Sequence, residues 1–163
     1  MFYYGLTSQG QALEIASAVC DVLGHGKNNK VVTLIIETAC QETHLGTLKD
    51  RHWHVAGVGL TQFDEIGVED IRLNTGLATR QKVLDAFGVD IRNVQLRDLA
   101  FSPFLAILFC RLKYMRVPAV IPESLEGRAH YWKRHYNSEL GAGSPEEYIE
   151  NVRIHGKILE ILN

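Results

Sequence analysis

Residues 30–44 constrain the fold of this chain more than any other stretch. Val31, Val32, Leu34, Ile35, Ile36, Ala39 and Cys40 leave almost no polar face. A helix that is apolar nearly all round must be buried on every side, so other helices have to surround it. A buried strand over Val31–Ile36 is the competing reading, and the length of the run up to His44 favours helix. Two carboxylates, Glu37 and Glu42, interrupt the run. At about 100° per residue they lie roughly 140° apart around the axis and do not share a face.

The flanking sequence supplies the surrounding helices. An amphipathic helix is expected over 8–23, opened by Ser8 and closed by Gly24 and Gly26, with Lys27–Lys30 as a turn. Residues 45–64 are rich in Gly and His and read as a loop, with a short hairpin across Val55–Phe63. Helices are expected again near 68–74, 77–87, 98–116, 123–137 and 144–162. Pro103 suits a first helical turn, so the helix over 98–116 could start later. Pro118 and Pro122 mark a break. Ser144-Pro145-Glu146-Glu147 is a strong helix start, with a cap, a first-turn proline and acids that complement the dipole. The expected fold is mainly α, a single domain spanning 1–163 with a buried central helix and an irregular loop after it.

Composition narrows the class. At 163 residues, 46% hydrophobic and 22% charged, the chain suits one globular domain with its own core. A net charge of -2 and a pI of about 6.4 argue against a nucleic-acid partner. Tyr131-Trp132-Lys133-Arg134-His135 is accordingly read as a helix with its aromatics packed and Lys133 and Arg134 solvated. Cys20, Cys40 and Cys110 are odd in number, widely spaced and set in apolar runs, so buried free thiols are expected. No apolar stretch is long enough to span a bilayer. The opening MFYYGLTSQGQ does not read as a signal peptide, so synthesis in a cytoplasm is expected.

The chemistry centres on Glu42. A carboxylic acid at the end of a buried helix is costly to ionise, and its raised pKa suits a proton donor near neutral pH. Residues alone leave Glu37 nearly equal. Three blocks separate the two: Glu42-Thr43-His44-Leu45-Gly46, then Gly57-Val58-Gly59-Leu60-Thr61-Gln62-Phe63-Asp64, then His135-Tyr136-Asn137-Ser138 followed by Gly141-Ala142-Gly143. In this order the chain resembles the lytic transglycosylase and goose-type lysozyme superfamily, with Thr61 where that family carries Met and His135 where it carries Ala. Glu139 and Leu140 are extra residues before the Gly-Ala-Gly turn.

The resemblance implies a lysozyme-like fold and cleavage of the β-1,4 bond between N-acetylmuramic acid and N-acetylglucosamine in peptidoglycan. Glu42 would be general acid and then general base. Gly59, Leu60, Thr61 and Gln62 would line the glycan groove. Tyr136 would hydrogen-bond Glu42, and Asn137 would shape the same wall. Asp64 is the candidate second carboxylate for a hydrolase, with Asp50 behind it. A transglycosylase needs no second carboxylate, and both outcomes stay open. No metal and no cofactor are implied. Peptidoglycan strands are the expected partner of a monomer, and small size suits a phage lysis enzyme or a virion-associated protein acting on the wall.

Two rival readings use the same residues. Asp50, His52 and His54, with His44, could hold zinc, although no short zinc signature such as HExxH is present. A non-catalytic wall-binding or virion structural protein could keep the fold, although a binder has no need of a buried acid.

Overall fold

The computed structural model describes residues 1–50, 57–137 and 141–163. Among these, seven α-helices carry the fold: α1 (Gln9–Leu23), α2 (Val31–Thr43), α3 (Glu65–Asn74), α4 (Leu77–Phe87), α5 (Pro103–Met115), α6 (Leu125–Trp132) and α7 (Pro145–His155). The protein is mainly α. No helix among the described residues is long and apolar enough to cross a membrane.

α2 is the central helix. Ten of its 13 residues are buried, Glu37 among them. α1, α5 and α7 pack around it, and α6 packs on α7. α5 is the second apolar helix, with nine of 13 residues buried. Cys20, Cys40 and Cys110 are free thiols in this core, and burial pushes the Cys20 thiol up to about 11. Ordering these helices costs conformational entropy, and the apolar area removed from water by α2 and α5 is the main term that offsets it.

Caps explain where the expected boundaries shift. Ser8 accepts from the Gln11 N–H and opens α1 where expected. α3 begins at Glu65 rather than 68, because Asp64 caps it by accepting from the Gly67 N–H at 2.7 Å. The span 98–116 divides into a 3-10 turn, Leu96–Leu99, and α5, which starts at Pro103 under a Ser102 cap. α6 gives way at Lys133 to a π-turn, Lys133–Asn137. The last helix ends at His155, not 162, because Gly156 closes it and Lys157–Leu162 continues as 3-10 turns.

The loop after α2 holds only one β-bridge among the described residues, Val58 with Phe63. Its two hydrogen bonds, 2.7 and 3.1 Å, close a turn at Gly59–Gln62. Val55, in the expected hairpin, lies outside the described residues.

Candidate functional site

α2 ends at the site. Beyond Thr43 the chain turns through His44, Leu45 and Gly46, all with positive φ (50°, 52° and 82°). Left-handed backbone at two successive non-glycine residues is strained and needs support from its surroundings. Thr43 supplies much of it. Its hydroxyl donates to the Leu60 carbonyl at 2.8 Å and accepts from the Gly46 N–H at 3.2 Å. The His44 ring stacks on His155 with centroids 4.3 Å apart.

Those bonds join the first sequence block to the second, and Tyr136 joins the second to the third. Its hydroxyl donates to the Thr61 carbonyl at 2.6 Å. Blocks up to a hundred residues apart in the chain therefore meet at one end of α2.

Glu42 is half-buried at this junction. Its Oε1 accepts from the indole N–H of Trp132 at 3.1 Å, and Oε2 has no hydrogen-bond partner among the described residues. Burial raises its pKa to about 7, against the pull of the Trp132 hydrogen bond and the charge of Lys113. Glu42 lines a cavity of about 390 Å³ with Tyr4, Leu48, Lys49, Asp50 and Gln62, within the roughly 300–1,000 Å³ usual for ligand sites.

Glu37, the other acid of α2, faces elsewhere and is fully engaged. Arg128 grips it bidentately, Nε to Oε1 at 2.7 Å and a terminal nitrogen to Oε2 at 2.8 Å. Tyr148 donates a third hydrogen bond at 3.0 Å. Burial lowers the hold of Arg128 on its proton, but the hydrogen bonds and charge of Glu37 outweigh this and keep the guanidinium charged.

Several expected roles need correction. Tyr136 does not donate to Glu42, since its one proton goes to Thr61; Trp132 is the donor instead. Leu60 and Thr61 do not line a groove. Both are 0% exposed, and the Thr61 hydroxyl donates inward to the Ala106 carbonyl. In the second block Gly59 and Gln62 line cavities. Asn137 is held within its own turn, its Oδ1 accepting from Lys133 Nζ at 2.9 Å. The same ammonium donates to the Gly141 and Gly143 carbonyls, so Lys133 ties the π-turn to the Gly-Ala-Gly segment and is not merely solvated. Asp64 is an exposed helix cap, while Asp50 shares the cavity with Glu42.

No family model, no curated protein and no solved structure matches the chain. The reading of the site therefore rests on its own residues.

Two residues of the site lie outside the three sequence blocks. Trp132 is fully buried, and a buried indole N–H needs an acceptor, which was the available signal. Gly143 lies on the same indole, 3.1 Å from where its Cβ would be, so the Gly-Ala-Gly turn backs the residue that holds Glu42. Lys113 is the other. Its ammonium donates to the Tyr136 carbonyl at 2.8 Å and sits 4.3 Å over the Tyr136 ring. Burial lowers its pKa, while nearby acids including Asp64 and Glu42 raise it. A lysine inside a largely buried helix was its sequence signal.

The described residues contain no group of three or more His, Cys, Asp or Glu placed to hold a metal. His52 and His54 of the zinc reading, and Ser138, Glu139 and Leu140 of the third block, lie outside the described residues. Within them, His44 is occupied in its stack on His155.

Proposed function

We propose that the protein cuts the glycan strand of peptidoglycan at the β-1,4 bond between N-acetylmuramic acid and N-acetylglucosamine, with Glu42 as the proton donor. One observation carries the reading. Glu42 is an acid without a counter-ion bonded to it, held by Trp132, protonated up to about pH 7 and facing a cavity. A group of that kind can give a proton to a leaving oxygen at neutral pH.

Glu42 donates its proton to the glycosidic oxygen as the bond to the anomeric carbon breaks. The carboxylate left behind faces the positive charge that develops on the sugar. It then takes a proton from the attacking hydroxyl and is restored. The attacker is water in a hydrolase, or the 6-hydroxyl of the same muramoyl residue in a transglycosylase. Asp50 is better placed than Asp64 to orient water, because it faces the Glu42 cavity while Asp64 caps α3. In this reading the chain is a phage lysis enzyme or a virion-associated enzyme that acts on the wall.

The test is digestion of purified peptidoglycan by wild type and Glu42→Gln. A general acid contributes roughly 10²–10⁴-fold, so the variant should lose about that much rate while keeping its fold. Activity near the wild-type level would sink the proposal. The mass of the released muropeptides separates the two chemistries, since an anhydro end is one water lighter than a reducing end.

A further inference from the structure

A second recess of about 240 Å³ adjoins the Glu42 cavity, lined by Tyr3, Tyr4, Lys49, Asp50, Gly59, Ala100 and Phe101. Tyr4, Lys49 and Asp50 line both spaces, so the recess lies beside the Glu42 cavity with these three residues between them.

The recess is built from segments far apart in the chain that are fastened to one another. The Tyr3 N–H donates to the Gly46 carbonyl at 2.8 Å, and the Tyr4 hydroxyl to the Leu48 carbonyl at 2.7 Å. Gly5, at φ +79°, lies so close to the Phe101 carbonyl that a Cβ would stand 2.2 Å from its oxygen. Gly59, also at φ +79°, meets the Leu99 carbonyl in the same way at 2.4 Å. Only glycine permits either approach. Tyr4 and Gln62, two of the five non-glycine residues with positive φ among the described residues, line these spaces. The walls are preformed, which lowers the entropy lost on binding.

The chemistry of the lining is specific. Phe101 is 76% exposed at the rim, the only exposed phenylalanine of six. Lys49, between the two spaces, makes no ion pair or hydrogen bond among the described residues. A pyranose ring presents a C–H face that packs on an aromatic ring and an edge of hydroxyl and acetamido groups that needs polar partners. Aromatic walls with a polar junction suit such a ring, and a strand crossing Glu42 would lead into this space.

We infer that the Tyr3–Phe101 recess is a subsite for an N-acetylhexosamine ring of the same glycan strand that crosses Glu42, so that Phe101 makes the protein prefer longer strands. The inference rests on the glycan-cleaving reading of Glu42.

The test measures binding of chitobiose and chitohexaose by calorimetry in the Glu42→Gln background, with and without Phe101→Ala. Phe101 is exposed, so its truncation leaves the core intact. Losing one aromatic stack should weaken chitohexaose about fivefold and leave chitobiose unchanged. Equal weakening of both ligands, unchanged affinity for chitohexaose, or no chitohexaose binding at all overturns the subsite. Phe101-dependent chitohexaose binding by a wild type that releases no muropeptides would keep the subsite and remove Glu42 catalysis. Full lysis by a Phe101→Ala protein whose chitohexaose affinity is also unchanged would remove the subsite and leave Glu42 standing.

Discussion

Glu37 and Glu42 lie on one helix, in one apolar run, and burial drives both toward the neutral form. Their surroundings differ in one respect. Glu37 has a guanidinium bonded to both its oxygens and a phenol besides. Glu42 has one indole N–H and a cavity. A buried acid with a full set of partners is a structural joint, here between α2, α6 and α7. A half-buried acid, desolvated but left without a bonded cation, is a proton store. Burial alone therefore does not mark a functional acid; burial without compensation does.

The largest expected effect tests the joint. Glu37→Ala leaves Arg128, itself 7% exposed, with an uncompensated charge. Breaking a buried pair in this way should cost about 3–5 kcal/mol in urea unfolding. Glu42→Gln should cost little by the same measurement. If both variants were equally destabilised, the contrast between the two acids would fail.

A second measurement sharpens the contrast through pH. The folded pKa of Glu42, about 7, lies above the ordinary glutamate value of 4.5. Unfolding therefore releases a proton between those values, and the stabilising effect of the protonated form, complete below 4.5, is lost as pH rises through 7. Wild type should lose roughly 3 kcal/mol relative to Glu42→Gln across that window, with no further divergence above it. Parallel stability curves for the two proteins would mean that Glu42 is not held neutral.

The sequence carried the architecture well where one helix face, one cap or one proline decided it. The apolar run gave α2, and Ser144-Pro145 gave the start of α7. It carried less where the outcome depends on contacts between distant segments. The chain does not announce that Thr61 faces inward to Ala106, or that the Tyr136 proton goes to Thr61. Nor could it distinguish Glu37 from Glu42 by residue type, because the partner that neutralises Glu37 arrives from α6. Asp64 was equally ambiguous. An aspartate before a helix serves as a cap or as a catalytic group, and only the Gly67 N–H at 2.7 Å decides how it is used here.

A smaller effect is expected at Tyr136. Tyr136→Phe removes the donor to the buried Thr61 carbonyl and should cost about 1–2 kcal/mol. Because Glu42 is not its partner, the alkaline limb of the pH–rate profile should stay where it is in wild type. A displaced limb would restore a direct Tyr136–Glu42 contact and weaken the role given to Trp132.

The smallest and most discriminating change is Lys113→Met. Lys113 is the charged group whose field opposes the raised pKa of Glu42. It is not bonded to Glu42; its ammonium is held on the Tyr136 carbonyl and ring. Removing a nearby positive charge disfavours the carboxylate, so Glu42 should keep its proton to higher pH. The alkaline limb of activity should then move up in pH, with the rate at pH 5 unchanged, because Glu42 is protonated there in both proteins. Lys113→Arg keeps the charge and should hold the limb in place. Carbon-detected titration of the Glu42 carboxyl reads the same shift without relying on turnover. A limb and a titration curve that both stay in place in Lys113→Met would show that the field of Lys113 does not reach Glu42, and that Trp132 alone opposes the effect of burial.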